Sequence, residues 1–344
     1  MKITERALVK NLCVELGKNP LIVQGAGGNI SWKDDNILWV KASGTWLCDA
    51  KKKNIFVPTN LDEILDSVNK NDFDKKPVVT NNSKLRPSIE TILHALMPHR
   101  VVVHLHAVDA LSYLVRNDCE VLLREILSTE YSYEIVKYCK PGRELAENVY
   151  KKIHSNKNID IIFLMNHGLV VGADNTIAAK KLIFKLINKL HSKINTNLIH
   201  NVFSYEDNEK VINDLKKFDY FPSSNKKFHD LAINNDLLKL VENKWALFPD
   251  HVVFLGGEAL VMRSNNILKY LEENEQHRPA FIFCKNIGTF QFKEISIAQI
   301  DQLNCFYDVA IRQNDISKVE GLARDNINDL IDWDAEKYRL SISK

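Results

Sequence analysis

One run of six residues, Val101-Val102-Val103-His104-Leu105-His106, constrains this chain more than any other segment. Its β-branched residues and short length predict a buried strand. Side chains alternate along a strand with period two, so both imidazoles leave it on the same face. Two histidines so placed suit a transition metal, and they equally suit a pair of satisfied core residues. The choice depends on what else the chain can bring to that face.

His167 is the first such group. It lies in Leu164-Met165-Asn166-His167-Gly168-Leu169-Val170-Val171-Gly172, at the carboxyl end of a predicted strand and before a glycine turn. α/β proteins commonly place reactive side chains there. Three neutral imidazoles with one coordination position left open allow a cation to polarise substrate oxygens. Glu90 begins the helix predicted just before the histidine strand and can point back toward it, although an acid near a helix amino terminus also favours the helix itself. Two loops, Gly25-Ala26-Gly27-Gly28-Asn29-Ile30-Ser31 and Ser43-Gly44-Thr45, let backbone N–H groups approach an oxyanion closely, and Ser88 adds a hydroxyl. The first loop has neither the GxGxxG spacing of a dinucleotide site nor the ending of a P-loop. No dinucleotide fingerprint follows elsewhere, so neither a nicotinamide cofactor nor a fused dehydrogenase is expected.

Apolar periodicity predicts an opening helix over 3–17 that stops at Gly17. Short β-prone runs at 21–23, 37–40 and 54–57 predict a small strand meander. A helix over 60–71 and a polar loop over 72–87 follow, then a helix capped by Ser88 and closed by Pro98, with Glu90 and His94 on one face. A strand within 159–171 and a long helix over 178–198 complete the first domain. Polar clusters at about 200–228 interrupt the periodicity. Residues 1–205 are therefore read as the metal-binding catalytic domain, and 206–344 as a smaller C-terminal α/β extension. The extension is expected to hold strands at 251–255, 259–262 and 280–284, helices at about 296–312 and 316–342, and no internal repeat.

Composition narrows the function classes. Lys and Arg number 46 against 44 Asp and Glu, a formal net charge of +2 that creates too little field to gather nucleic acid. The lysines at 51–53 and 226–227 lack interleaved aromatics and lie beside loop signals, as solvated surface does. No apolar segment approaches the roughly 20 residues needed to cross a bilayer, and Glu5 stands where a secretion signal would be apolar. Six cysteines without CxxC spacing fit reduced packing thiols, so a cytoplasmic location is expected.

Five segments occur in a telling order: GGNIS at 27–31, KASG at 41–44, RPSIETILH at 86–94, HRVVVHLHA at 99–107 and MNHGLVV at 165–171. Together they resemble the class II aldolase and adducin family over about residues 5–200, most of all its longer rhamnulose-1-phosphate aldolase-like domains. Pro249-Asp250-His251 and Trp333-Asp334-Ala335-Glu336-Lys337-Tyr338 resemble the later part of those domains. The resemblance implies an α/β/α sandwich with a central mixed sheet, assembled as a homotetramer with active sites between subunits. It implies His104, His106 and His167 as ligands of one divalent ion, zinc or else Mn2+, Co2+ or Mg2+. It implies Glu90 as the acid/base group and as a further ligand of the metal. Gly28, Asn29, Ser43, Gly44 and Ser88 match positions that hold the substrate phosphate. Ser88-Ile89-Glu90 departs from the Ser-Ser-Glu of fuculose-phosphate aldolases by one hydroxyl.

The implied reaction is reversible retro-aldol cleavage of a sugar or sugar phosphate through an enediolate whose charge the cation offsets. Glu90 is expected to carry a raised pKa for that work. In the family a tyrosine from a neighbouring subunit often serves as a second acid or base, for which Tyr131, Tyr133 and Tyr138 are candidates here, and His251 is another. Two other readings use the same residues. A metal-dependent decarboxylase, dehydratase or epimerase also works through an enolate, although Glu rather than Asp at position 90 resembles the aldolases more than the pentulose-phosphate epimerases. A non-catalytic adducin-like binding protein would need no metal ligands, whereas all three histidines and Glu90 are present.

Overall fold

The computed structural model describes residues 4–127, 129–194, 204, 209–262, 267–274, 278–331 and 333–342. Its contacts divide the chain into two compact units, Met1–Ile194 with Asp332–Lys344, and Asn195–Ile331. The expected division at 205/206 left the last segment in the extension. The contacts group it with the first unit, because Trp333, Tyr338 and Ile342 pack on Gly142, Arg86 and Gly44.

The first unit opens with helix α1 (Glu5–Gly17), whose Thr4 hydroxyl caps it by accepting from the Ala7 N–H and whose apolar stripe buries Val9, Leu12, Cys13 and Leu16. Seven strands follow: β1 (Asn29–Asp34), β2 (Ile37–Lys41), β3 (Phe56–Asn60), β4 (Val101–Leu105), β5 (Tyr133–Val136), β6 (Ile161–Leu164) and β7 (Gly168–Ala173). They form one sheet in the order β3-β2-β1-β4-β7-β6-β5, antiparallel throughout except for the parallel pair β5 and β6. Helices α2 (Leu61–Asn69), α3 (Thr91–Leu96), α4 (Val108–Leu114), α5 (Cys119–Leu127), α6 (Arg143–Ser155) and α7 (Thr176–His191) complete the layers.

β4 lies at the centre and all five of its residues are buried. Val101, Val103 and Leu105 enter a core shared with α1 and α7, whereas Val102 enters a core with Leu93 of α3 and Val149 of α6. His104 follows Val102 by two residues, so alternation turns its ring toward the α3 side of the sheet, the side that carries Glu90.

Several expectations need correction. The run 21–23 forms a turn, because the N–H groups of Ile22 and Val23 both donate to the Asn19 carbonyl and are spent locally. The strand that does form there is β1, whose polar residues hid it from a hydrophobicity pattern. α3 begins at Thr91, three residues beyond Ser88; the Ser88 hydroxyl accepts from the Glu90 N–H in a turn, and Ala42 bridges Pro87 to hold the preceding chain extended. The single strand sought in 159–171 is the hairpin β6–β7, turned at Asn166 with φ 51. In the second unit, 251–255 belongs to helix α11 (Pro249–Leu255), since Pro249 in its first turn is pre-set for a helix start.

The second unit otherwise comprises α8 (Glu209–Lys216), β8 (Tyr220–Pro222), α9 (Asp230–Ile233), α10 (Asn235–Asn243), β9 (Leu260–Met262), α12 (Ile267–Glu273), β10 (Phe281–Cys284), β11 (Gly288–Phe292), α13 (Ile297–Ala310) and α14 (Arg324–Ile331). Its sheet order is β8-β11-β10-β9. Helix α15 (Asp334–Ile342) belongs to the first unit. Among the described residues no helix is long and apolar enough to cross a membrane.

The second unit reproduces the β4-to-β7 half of the first, a repeat between the two units rather than within the extension. In each, a parallel pair (β5 with β6, β9 with β10) leads into an antiparallel hairpin whose second strand (β7, β11) pairs with the strand that opens the repeat (β4, β8). The same backbone bonds recur: Met165 N–H to Val136 O and Lys285 N–H to Met262 O, Asn166 N–H to Leu114 O and Asn286 N–H to Ala232 O, Gly172 N–H to Asp160 O and Phe292 N–H to Ala280 O. Asn286 turns its hairpin at φ 62 as Asn166 does. Few side chains are shared, so the repeat is legible in hydrogen bonds rather than in sequence. By register, Pro222 opposite Phe290 stands where His104 stands opposite Val170, and Ile287 stands where His167 precedes its glycine.

Candidate metal centre

The sheet order places β1, β4 and β7 side by side, and each contributes to one cluster. Asn29 on β1 pairs directly with His104 on β4, which pairs in turn with Val170 on β7. His106 follows β4, and His167 sits at the β6–β7 turn. Three ligand atoms, one from each of His104, His106 and His167, lie within 4.8 Å of one another, and all three residues are buried. The His104 and His106 Nε2 atoms are 3.0 Å apart. Glu90, just ahead of α3, reaches the same point: its Oε2 is 3.5 Å from His104 Nε2 and its Oε1 is 3.4 Å from His167 Nε2.

These separations fit a tetrahedral cation. Zinc–nitrogen bonds of about 2.0–2.1 Å put ligand atoms about 3.3 Å apart along a tetrahedron edge. His104 Nδ1 faces the Leu169 carbonyl at 3.1 Å, and since a carbonyl only accepts, Nδ1 carries the proton and the Nε2 lone pair points into the cluster. Glu90 Oε1 is buried and accepts no hydrogen bond, which leaves a lone pair for the same centre. Gly168 makes the approach possible. A Cβ there would stand 2.4 Å from the Leu105 carbonyl oxygen, 3.1 Å from His106 Cδ2 and 3.2 Å from His104 Cε1.

The electrostatics reverse one expectation. Burial pushes the Glu90 carboxyl up, but with no cation bound the His104, His167 and His106 rings, where they carry protons, and to a smaller extent Arg339, outweigh it and hold the pKa below the ordinary value. The expected raised pKa followed from burial alone and omitted the imidazoles that the fold sets around the carboxylate. The Asn29 amide donates to Glu90 Oε2 at 2.7 Å, so Asn29 orients the carboxylate. His94 shares the helix but stays outside the cluster. Its Nδ1 meets the Ser31 hydroxyl at 2.8 Å, and burial, then the charges of His104, Lys33 and Lys41, push its pKa down to about 3.

Of the loops with Gly28, Ser43, Gly44 and Ser88, Gly28 lies against His104 and Ser88 accepts from the Glu90 N–H. Gly28 (φ +63) leaves no room for a side chain, since a Cβ would lie 3.0 Å from the His104 carbonyl oxygen. Ser43 N–H donates to Arg86 O, and Ser88 N–H to Lys41 O, which ties the 41–44 and 86–88 segments together. Lys41, a residue of the KASG motif not singled out from the sequence, is 1 % exposed; its Nζ donates to Ala26 O at 3.0 Å and Thr45 O at 2.6 Å, and so clamps both glycine loops. A cleft of about 770 Å³ opens beside them, lined by Ser43, Arg86, Ser88, Ile89, Trp333 and Tyr338 among others. A sugar phosphate fits such a volume.

Within one chain, three of the candidates for a second acid or base, Tyr131, Tyr133 and His251, pack against other side chains. Tyr131 packs in the core shared with α1 and α7, and Tyr133 packs against it and meets Phe163 edge-on at 5.6 Å. His251 belongs to α11 of the second unit, where it is fully buried against Trp245, Phe248 and Phe306 with neither ring nitrogen hydrogen-bonded.

The sequence profile of the Class II Aldolase and Adducin N-terminal domain matches residues 9–191, the span that contains every side chain of the cluster. Among curated proteins, the chain is 24% identical over 219 residues to the uncharacterized oxidoreductase YuxG of Bacillus subtilis, a match covering 59% of this chain and 31% of that protein. The chain thus spans about a third of the length of that relative. It is 28% identical over 162 residues to the L-fuculose phosphate aldolase of Methanococcus maripaludis, covering 45% of this chain and 78% of that one. Among solved structures, the N-terminal class II aldolase domain of a conserved Thermoplasma acidophilum protein is 27% identical and covers 56% of this chain and 95% of that chain, with a TM-score of 0.48.

Proposed function

Since the chain belongs to the class II aldolase and adducin family, we propose that it is a divalent-metal-dependent lyase that reversibly cleaves a carbon–carbon bond in a sugar or sugar phosphate. The observation that carries this reading is the four-donor cluster, with His104, His106, His167 and Glu90 spaced by 3.0–3.5 Å along the measured edges. Zinc would suit three imidazoles, with Glu90 filling the fourth position only until substrate oxygens take it and free the carboxylate. A divalent ion held there supplies positive charge against the oxyanion that develops as the carbon–carbon bond breaks.

The chain's own residues do the rest. Glu90 exchanges the proton on the carbon next to the substrate carbonyl, taking it in the joining direction and returning it in cleavage. Asn29 fixes the carboxylate's direction, and Lys41 holds the two glycine loops at the spacing the substrate needs. Gly28, Ser43, Gly44 and Ser88 surround the phosphate end of the substrate, with the Ser43 and Ser88 hydroxyls on the cleft wall. The buried rim of the cluster excludes water from the reacting carbons. A homotetramer in the cytoplasm is part of the same proposal and rests on the family resemblance and on cysteines that are all free.

The test is a screen of phosphorylated and unphosphorylated ketoses for cleavage in the presence of added divalent ions, with Glu90→Gln as control. Two carbonyl fragments are the expected products, whereas release of carbon dioxide would indicate a decarboxylase. Glu90→Gln should retain the metal and lose at least ~100-fold in turnover, the size typical of removing an acid/base group. Turnover close to that of the unaltered protein would remove Glu90 from the mechanism.

A further inference from the structure

Beyond the Ser43 and Ser88 hydroxyls, the cleft of the first unit carries a charge pattern that the lyase reading does not use. Five cationic and three acidic side chains line it, in a chain whose formal net charge is only +2. Arg143 is spent on Asp74 at 2.6 Å and on Glu147 at 2.8 Å. Among the described residues Lys75, Lys76, Arg86 and Lys140 have no carboxylate partner. The two acids left on the walls, Glu144 and Asp334, stand in the first turns of α6 and α15, where the helix dipole offsets their charge.

Two of the free cations are laid on aromatic rings. The Arg86 guanidinium lies 4.3 Å over Tyr338, whose hydroxyl also accepts from the Arg86 N–H, and the Lys140 ammonium lies 4.9 Å over Trp333. Trp333 is itself fixed against the start of α6, since a Cβ on Gly142 would lie 3.6 Å from its ring. A ring positions a cation without neutralising it, as a carboxylate would. Trp333 and Tyr338 are separated by roughly 7.5 Å along a helix axis, close enough for one ligand to span both charges. The same cleft has apolar walls: Phe73 and Ile92 belong to a buried cluster shared with α2 and α6, and Ile89 and Pro141 stand beside them on its lining. Cationic and apolar surfaces in one cleft match a molecule that has both an anionic group and a flat apolar body. Inorganic phosphate would leave the apolar walls unused, and a neutral aromatic would leave the cations unused.

We propose that this cleft binds an organic phosphate with a flat apolar body, its phosphate held by Arg86 and Lys140 with Lys75 and Lys76, and its body against Ile89 and Ile92. None of His104, His106, His167 and Glu90 lines the cleft, so the site stands apart from the metal donors and goes beyond the lyase reading.

The probe is 1-naphthyl phosphate, titrated into the full chain and followed by its fluorescence, with inorganic phosphate and 1-naphthol measured calorimetrically. The probe should bind at least tenfold tighter than either of its halves. Lys140→Gln and Lys75→Ala/Lys76→Ala should each weaken it at least fivefold, and Lys140→Arg, which keeps a cation on Trp333, should recover most of the first loss. Ile89→Asn should weaken the probe while leaving inorganic phosphate within twofold. Lys51→Ala/Lys52→Ala removes two charges from an exposed loop away from the cleft and should change nothing beyond twofold. Melting temperatures of all variants show that the fold is kept. A probe no tighter than inorganic phosphate, or an equal loss in the 51–52 and 75–76 variants, would overturn the proposal. Ketose cleavage is scored separately: a chain that cleaves no ketose but binds the probe in this way counts against the lyase reading alone, and one that cleaves ketoses but fails these titrations counts against this site alone.

Discussion

Gly168→Ala offers a sharp test of how the fold builds the metal centre, because one methyl group enters between the elements that carry the ligands. Its Cβ would meet the Leu105 carbonyl oxygen at 2.4 Å, where ordinary contact begins at 3.4 Å, so β4 and the β6–β7 turn must part by about 1 Å. The obstacle is backbone and cannot rotate away. Overpacking of this kind costs ~1–3 kcal/mol of stability. The same movement carries His167 away from His104 and His106, and lengthens ligand edges toward ~4 Å, beyond the roughly 3.3 Å a zinc tetrahedron spans. Disturbing the partners that merely orient zinc ligands already costs ~10–100-fold in affinity, so displacing a ligand should cost ~100-fold or more, about 2.8 kcal/mol. Competition against a chromophoric chelator measures the zinc affinity, and urea unfolding of the metal-free chain measures stability. Gly256→Ala in the second unit is the control: nothing lies within 4 Å of its Cβ, and its φ of +86 adds only ~1–2 kcal/mol of left-handed strain, with no effect on zinc. Zinc affinity within threefold of the unaltered protein in Gly168→Ala would refute the reasoning.

Purified chain should hold one zinc rather than two, and His104→Ala/His106→Ala should hold none, since Pro222 and Ile287 replace the imidazoles in the repeated half; elemental analysis reading two ions per chain would contradict this. His251→Leu should stabilise the second unit by ~1–3 kcal/mol, because it removes two buried ring nitrogens that have no partner. Burial pushes the folded His251 pKa down to about 3 from 6.5. The unfolded chain therefore binds a proton that the folded chain refuses between those values, and stability falls as pH drops from 6.5 toward 3. The advantage of the variant should widen by roughly 3 kcal/mol between pH 7 and pH 4. An advantage constant with pH in chemical denaturation would show that His251 does not titrate in this way.

What could be read locally was read well where a pattern and a stop signal coincided. The apolar stripe ending at Gly17 marks α1, the valine run marks β4, and H-x-H on a strand puts two rings on one face. Where polar residues occupy a strand, as in β1, hydrophobic alternation fails, because Asn29 and Ser31 are buried against His104 and His94 rather than facing water. A proline that starts a helix made α11 resemble a strand of valines to the same rule.

The sequence by itself determined which residues are chemically able to hold a cation, and the short-range geometry of His104 with His106, because strand alternation is a property of neighbouring peptide units. Only the tertiary structure decided that Glu90 and His167 meet them, and that α15 comes back to the first unit. Those outcomes depend on the order in which β1, β4 and β7 pair and on where apolar faces find cover. Both are set by the whole chain's packing, across separations at which no local spacing rule operates.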